Sequence, residues 1–115
     1  MTITRIPGSV ATRSRAVVHD GAVYLVATAP VKTDSVEDQM RQSLALIDES
    51  LAMAGSDRSR VLMVTVYLAD MTAKAEMNRA WEAWVVPGHA PVRACIGATL
   101  AEGDLIELVV TAAVG

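Results

Sequence analysis

Two segments of this sequence are apolar at nearly every position, and they limit the folds that the chain can adopt. The first runs from Val61 to Leu68 and the second from Leu105 to Val114. Successive side chains of a β-strand point to opposite faces of a sheet, so pairs such as Met63-Val64 and Val109-Val110 place aliphatic carbon on both faces. We therefore expect two strands that need apolar cover on both sides.

A hairpin and a long helix are predicted before the first of these strands. Asp20-Gly21, within the β-branched segment Val17 to Leu25, supplies the positive φ angles of a two-residue turn. A helix should begin near Asp34 or Ser35, since either can cap it and Asp34 with Glu37 has the spacing of a capping box. Gly55 is its natural stop. Its apolar stripe consists of Val36, Met40, Leu44, Ile47 and Leu51.

A second helix is predicted from about Thr72 to Val85, where Pro87-Gly88 follows. Its apolar residues Met77, Trp81 and Trp84 are expected in the core. Two strands complete the chain, Val92 to Ala98 and Leu105 to Val114. The element order β-β-α-β-α-β-β predicts an α+β fold with one domain over residues 1–115, in which two helices pack on one face of a mixed sheet.

This layout leaves one face of the sheet without cover from its own chain. Two helices can shield only one face, whereas several strands carry aliphatic side chains on both. Large exposed apolar surfaces usually mark interfaces, and self-association is the simplest way to cover one. The pattern therefore predicts an oligomer, without fixing the number of subunits.

Composition narrows the possible partners and compartment. The formal net charge is −3, with no run of like charges, so the basic footprint expected for nucleic-acid binding is absent from the sequence. The single cysteine excludes an intrachain disulfide and favours a reducing compartment. No segment resembles a signal peptide or a membrane span. We expect a cytoplasmic protein with neither a membrane nor a nucleic-acid partner.

Arg93 is the most unusual residue of the predicted Val92 to Ala98 strand, because it lies among small side chains. Alternation places it on one face with Cys95, Gly97 and Thr99, and places Val92, Ala94, Ile96 and Ala98 on the other. If the second set meets the helices, Arg93 points toward the presumed subunit interface, where its planar fork suits a carboxylate. The residues alone favour a simpler explanation, an intersubunit ion pair or an arginine that reaches solvent.

Other ionisable residues give weaker signals. Cys95 shares the face of Arg93, whose charge could favour a thiolate, although a lone cysteine is usually a small buried apolar residue. Glu107 is embedded in an apolar strand, where it could pair with an arginine, lie at a strand end or act in catalysis. No His, Cys, Asp or Glu spacing suggests a metal site, and no glycine-rich phosphate loop is present, so no cofactor is expected.

Taken together, these residues resemble the Rid family, also called YjgF-like and often labelled endoribonuclease L-PSP. The resemblance covers nearly the whole chain. Its most specific landmark is Pro91-Val92-Arg93-Ala94-Cys95, in a strand that leads to Leu100. Its other landmarks are Ser14-Arg15-Ala16-Val17-Val18, Ala54-Gly55-Ser56-Asp57, the segment from Val64 to Met71, and Met77-Asn78-Arg79-Ala80-Trp81.

The resemblance implies a chorismate-mutase-like fold and a homotrimer whose sheets line a central β-barrel, with ligand sites in the clefts between subunits. In the deaminase branch of the family, the arginine that matches Arg93 holds the carboxylate of a small 2-imino acid. Water then adds to the C=N bond, which releases ammonia and a 2-oxo acid. Positioning of an electrophilic carbon and a water molecule supplies much of this catalysis.

The chain departs from the deaminase pattern at three expected site positions. Arg13 stands where the family has a tyrosine, Val109 where it has a glutamate two residues after the position of Glu107, and Ala27 or its neighbour where a glycine offers a backbone contact. Arg13 adds a positive group that would suit a dicarboxylate or a different ligand. The expected substrate-binding residues are thus Arg93, Cys95, Arg13, Ala27, Glu107 and Val109, with Arg93 catalytic.

Three functions follow from this pattern. The first is a deaminase of 2-iminobutanoate or 2-iminopropanoate type, and the second is a non-catalytic trimer that binds small carboxylates. The third is the ribonuclease or translation-inhibitor role attached to the family label, which the acidic composition disfavours.

Overall fold

A six-stranded mixed sheet carries both helices on one face, in a computed structural model that describes residues 2–115. The elements are β1 (Thr4–Pro7), β2 (Ser14–His19), β3 (Ala22–Thr28), α1 (Val36–Met53), β4 (Val61–Leu68), α2 (Lys74–Trp84), β5 (Val92–Gly97) and β6 (Ile106–Ala113). The strand order is β1-β2-β3-β6-β4-β5. Only β4 and β5 are parallel, and the other neighbours are antiparallel. The predicted fold class is confirmed.

One strand was not predicted. Thr4–Pro7 forms β1, an edge strand that pairs with β2. It has only four residues, and their side chains are mostly exposed. It therefore has neither the length nor the alternation of apolar and polar residues by which a strand is predicted from sequence. Its register with β2 shifts between Ile6 and Pro7.

The hairpin turn and α1 follow their local sequence signals. Asp20 and Gly21 adopt φ angles of 51° and 75°. Ser35, and not Asp34, caps α1, because its hydroxyl accepts a hydrogen bond from the backbone N–H of Asp38 at 3.1 Å. Gly55, at φ 81°, ends the helix as predicted. All residues of the predicted stripe are buried.

The second helix is shorter at its start than predicted. Asp70 caps a turn of 3₁₀ helix, Met71–Ala73, so the regular α-helix begins only at Lys74. The helix ends at Trp84. Met77, Trp81 and Trp84 are buried, which confirms their assignment to the core.

The face of the sheet turned away from the helices, here called the outer face, is apolar and open. Val64 and Val110 are buried beneath the helices, whereas their neighbours Met63 and Val109 are 39% and 38% exposed. This confirms the expected aliphatic character of both faces. The exposed apolar side chains of the outer face include Tyr24, Val26, Met63, Val92, Ile96 and Val109. No helix among residues 2–115 has the length and apolar character needed to cross a membrane.

Candidate ligand-binding site

Arg93 and Cys95 lie on the helix side of the sheet, so the condition under which Arg93 was expected to point outward is not met. In the parallel pair β4–β5, Arg93 is in register with Val64 and Cys95 with Val66, and both valines are buried under the helices. Val92 and Ile96 lie on the outer face and are 65% and 45% exposed. Because β5 is an edge strand, the identity of its buried face depends on α2, which the alternation of β5 cannot specify.

Within the part of the chain that the structure describes, Arg93 contacts an aromatic ring and a sulfur atom and pairs with no carboxylate. Its guanidinium carbon lies 5.3 Å from the centre of the Trp81 ring, a cation–π arrangement. Its Nη1 lies 3.4 Å from Sδ of Met77. None of the ion pairs among residues 2–115 includes Arg93. A half-buried guanidinium in this state has most of its N–H donors available for an anion.

Cys95 is half-buried and packs against the hydrophobic core. This burial is typical of a cysteine that packs as a small apolar residue. It lies two residues from Arg93 on the same face of β5.

A broad concavity of about 980 Å³ lies over β2, β3 and β6 and is called the concavity below. Three of the predicted site residues line it, Arg13, Glu107 and Val109. The pairing of β3 with β6 places Glu107 opposite Thr28 and Val109 opposite Val26, and all four residues contribute to the lining. Arg13 precedes the first residue of β2 and is exposed.

Four charged side chains line the concavity, and two of them have partners. Arg15 donates hydrogen bonds to Glu49 at 3.1 Å and to Ser50 at 2.8 Å, and Asp104 pairs with Lys32. Arg13 and Glu107 take part in none of the ion pairs found among residues 2–115. Glu107 thus lies near the start of β6 as an unpaired carboxylate, one of the possibilities left open by the sequence.

Ala27 does not offer its side chain to the concavity. Its methyl group is 1% exposed and belongs to the core, while the adjacent Val26 and Thr28 line the concavity. A contact from this part of β3 to a ligand would therefore involve Val26, Thr28 or the backbone.

Gln39 is a residue that the sequence did not single out. Its buried amide donates to the carbonyls of Thr33 at 2.8 Å and Gly103 at 2.9 Å, and it accepts from the N–H of Leu105 at 3.0 Å. These bonds fix the loop before β6, whose Ala101 and Asp104 border the concavity. A glutamine beside the apolar stripe of α1 gives no sequence signal for such a role, because its partners are distant backbone groups.

The predicted residues form two groups that one chain does not bring together. Arg93 and Cys95 lie on the helix side of the edge strand β5, whereas Arg13, Glu107 and Val109 lie at the outer face. Strand β4 separates β5 from β6. Within one chain the two groups thus lie on different faces of the sheet and on strands that are not neighbours. No group of His, Cys, Asp and Glu side chains suited to a metal ion occurs within residues 2–115.

Comparison with known proteins gives consistent matches over most of the chain. The family model described as Endoribonuclease L-PSP matches residues 3–114. A RutC family protein of Haemophilus ducreyi is 45% identical over 105 residues, 88% of each chain. The crystal structure of NMB1025 from Neisseria meningitidis, a member of the YjgF protein family, superposes with a TM-score of 0.94 at 37% identity and covers 100% of this chain and 97% of that one. A mouse 2-iminobutanoate/2-iminopropanoate deaminase is 28% identical over 116 residues, covering 94% of this chain and 85% of its own.

Proposed function

Because this chain belongs to the endoribonuclease L-PSP family, also known as YjgF or Rid, we propose that it hydrolyses small 2-imino acids to 2-oxo acids and ammonia. The observation that carries the proposal is Arg93, a half-buried guanidinium that stacks on Trp81 and lacks a carboxylate partner within residues 2–115. The activity named for the mouse relative, at 28% identity, supports the same chemistry.

The proposed site lies between copies of the chain in a homotrimer. The apolar outer face supports such an assembly, since Tyr24, Val26 and Ile96 are each close to half exposed in the isolated chain. One copy provides the Arg93 group of β5, and its neighbour provides the concavity with Glu107. This arrangement unites the two groups that a single chain keeps apart.

Arg93 binds the substrate carboxylate in this proposal. A guanidinium and a carboxylate form parallel charge-assisted hydrogen bonds, which fix orientation as well as position. Trp81 and Met77 hold the guanidinium from one side and leave its other donors directed to the ligand. Cover by a second copy would lower the local dielectric and strengthen this interaction.

Glu107 is the carboxylate that acts on the reacting centre. The carbon of a protonated imine is electrophilic, so water adds to it once the two are held together. The water oxygen bonds to carbon, a proton passes to nitrogen, and collapse of the tetrahedral intermediate breaks the C–N bond and releases ammonia. Glu107 is two residues before Val109 on the same face of β6, so the outer face retains a carboxylate although Val109 cannot act as one.

The test generates 2-iminopropanoate or 2-iminobutanoate in situ from the amino acid with an amino-acid oxidase and follows loss of the imine. We expect the wild type to accelerate hydrolysis and Arg93→Ala to lower kcat/KM by about 100-fold or more, because the anchoring ion pair is lost. Arg41→Ala is the matched control, since it removes an exposed arginine that pairs with Glu37 on α1. If wild type and Arg93→Ala both leave the spontaneous rate unchanged, deamination of these substrates is ruled out.

Val109 favours a second function, binding of small carboxylates without turnover. An aliphatic side chain stands where the resemblance expects a carboxylate, and a site that lacks a group to orient water would bind without catalysing. Thermal-shift measurements with 2-oxo acids distinguish the two, because a ligand of the native state raises its apparent stability. A shift that depends on Arg93, together with an unchanged imine lifetime, supports binding alone.

A further inference from the structure

Arg13 is the one arginine of the concavity without a carboxylate partner among the described residues. Arg15, two residues further on, also lines the concavity, but its guanidinium is held by Glu49 and Ser50 of α1. Arg13 takes part in no ion pair within residues 2–115. The concavity therefore contains a positive group that forms no ion pair within the described part of the chain.

The backbone at Arg13 is held by a contact that requires glycine. A Cβ atom at Gly8 would lie 2.7 Å from the carbonyl oxygen of Arg13 and 3.3 Å from the backbone nitrogen of Arg15. Both are backbone atoms, which cannot rotate away, so any side chain at Gly8 would displace the start of β2. The glycine packs the β1–β2 connection directly against Arg13 and fixes where its side chain begins.

The charges available to the proposed site are those of Arg93, Arg13 and Glu107. A protonated 2-imino acid with one carboxylate has a partner for Arg93 and, at its iminium nitrogen, a partner for Glu107. It offers nothing to Arg13, which would then be covered by a second copy without an anion, at a desolvation cost. A 2-imino acid with a second carboxylate has a counterpart for each of the three charges.

We propose that the site takes 2-imino dicarboxylic acids and that Arg13 binds the carboxylate remote from the imine. This inference rests on the proposed function and names its substrate class. The remote carboxylate is unchanged by the reaction, in which water adds to the imine carbon and the products are a 2-oxo dicarboxylate and ammonium. The class of reaction that supplies such a substrate is the oxidation of an acidic amino acid at its α-carbon.

The experiment compares 2-iminosuccinate and 2-iminoglutarate with 2-iminopropanoate and 2-iminobutanoate, each formed in situ from its amino acid. We expect kcat/KM of the wild type to be about 10- to 100-fold higher for the dicarboxylic imines, the difference that one charge-assisted interaction supplies. Arg13→Ala should abolish this preference by lowering the dicarboxylic values alone. The exposed-arginine variant Arg41→Ala should retain the preference.

Gly8→Ala tests the positioning of Arg13 without removing its charge. It should lower kcat/KM for the dicarboxylic imines and change the monocarboxylic values little, and light scattering and the thermal midpoint will show that the variant is folded and assembled. Arg13→Lys, which keeps a charge without the fork, should retain part of the preference.

Equal values for both substrate classes, or an equal loss of both in Arg13→Ala, would overturn this inference. In either case Arg93-dependent hydrolysis of the monocarboxylic imines would leave the proposed function standing. If no imine of either class is hydrolysed faster than in buffer, the proposed function fails and this inference fails with it.

Discussion

Two arginines stack on two tryptophans of the same helix, and they differ in what else they contact. Arg58 lies over Trp84 with its guanidinium carbon 5.4 Å from the ring centre, and Arg93 lies over Trp81 at 5.3 Å. Arg58 also donates to both carboxylate oxygens of Asp48, at 2.6 and 3.2 Å, and to the carbonyl of Trp84. Among residues 2–115, the guanidinium of Arg93 has only the sulfur of Met77 within hydrogen-bond distance.

The comparison distinguishes how a guanidinium is held in place from whether its N–H donors have an anionic partner. A tryptophan face holds a guanidinium in place in both cases, and the interaction contributes about 0.5–1 kcal/mol at such partly exposed sites. The fork of Arg58 is then satisfied inside the chain, so this arginine joins α1, α2 and the turn before β4. The fork of Arg93 has no anionic partner among residues 2–115, and its remaining N–H donors are open to water or to an acceptor from outside the chain.

The largest expected effect comes from a charge placed on the outer face. Ile96 lies on β5 beside Cys95 but points to the opposite side, and it is 45% exposed. Ile96→Asp should prevent assembly, because burying an unpaired carboxylate in an apolar interface costs at least about 3 kcal/mol per copy. Light scattering should then report a monomer, and activity that depends on Arg93 should disappear with the assembly.

The fold within each copy should survive this substitution, since no contact of α1, α2 or the Arg58 network is altered. Circular dichroism with a cooperative thermal transition would verify this. A wild-type monomer that is active at assay concentration would contradict the intersubunit cleft, and with it the explanation given for the unpaired state of Arg93.

Replacing Arg58 or Arg93 with alanine should produce effects of intermediate size on different quantities. One variant should lose stability and the other should lose activity. Arg58→Ala removes an ion pair, a carbonyl contact and a cation–π contact, so it should lower the free energy of unfolding by about 1–2 kcal/mol while kcat/KM is unchanged. Arg93→Ala should do the reverse, with a large loss of activity and little change in the thermal midpoint. Denaturant unfolding and imine hydrolysis on the same preparations measure both quantities.

One alternative would give a different outcome in this pair of variants. If Arg93 were held by a carboxylate of a neighbouring copy, as an intersubunit ion pair, Arg93→Ala would weaken the assembly and lower its stability. Dissociation on dilution, in a variant that keeps its activity while assembled, would therefore contradict a ligand role for Arg93.

The sequence predicted the elements whose signals are local. The Asp20-Gly21 turn, the buried stripe of α1 and the glycine that ends it all follow from properties of adjacent residues. It missed β1, whose residues carry no apolar pattern, because this strand exists only through its pairing with β2.

For the candidate site, the sequence could single out unusual residues but not predict how they are arranged. Arg93 and Glu107 were identified as unusual in an apolar strand context, but the face of β5 that is buried depends on where α2 packs. Likewise, the contact between Gly8 and Arg13 and the bonds of Gln39 join residues through backbone atoms, which leave no periodic trace in the sequence. Such tertiary contacts become visible only in the structure.

The smallest expected effect concerns a third arginine, Arg79, which unlike Arg93 has a carboxylate partner. Arg79 of α2 donates to Glu37 of α1 at 2.6 Å, and this hydrogen bond is the main cause that holds the pKa of Glu37 below its ordinary value of 4.5. A lowered pKa in the folded state means that the ionised form stabilises the fold above pH 4.5 and that this contribution disappears as pH falls through the folded-state value. The stability that the pair of Arg79 and Glu37 contributes should therefore decrease at acid pH.

Thermal midpoints of the wild type and Glu37→Gln, measured from about pH 7 to about pH 3, test this. The variant should be slightly less stable at neutral pH, and the two curves should converge in acid, where Glu37 of the wild type is protonated. Glu82→Gln is the matched control, since Glu82 is an exposed carboxylate of α2 outside the ion pairs of residues 2–115. A constant difference between wild type and Glu37→Gln across the pH range would show that Arg79 gains nothing from the charge of its partner. The distinction between Arg93 and the paired arginines would then rest on the other pairs, chiefly that of Arg58 with Asp48.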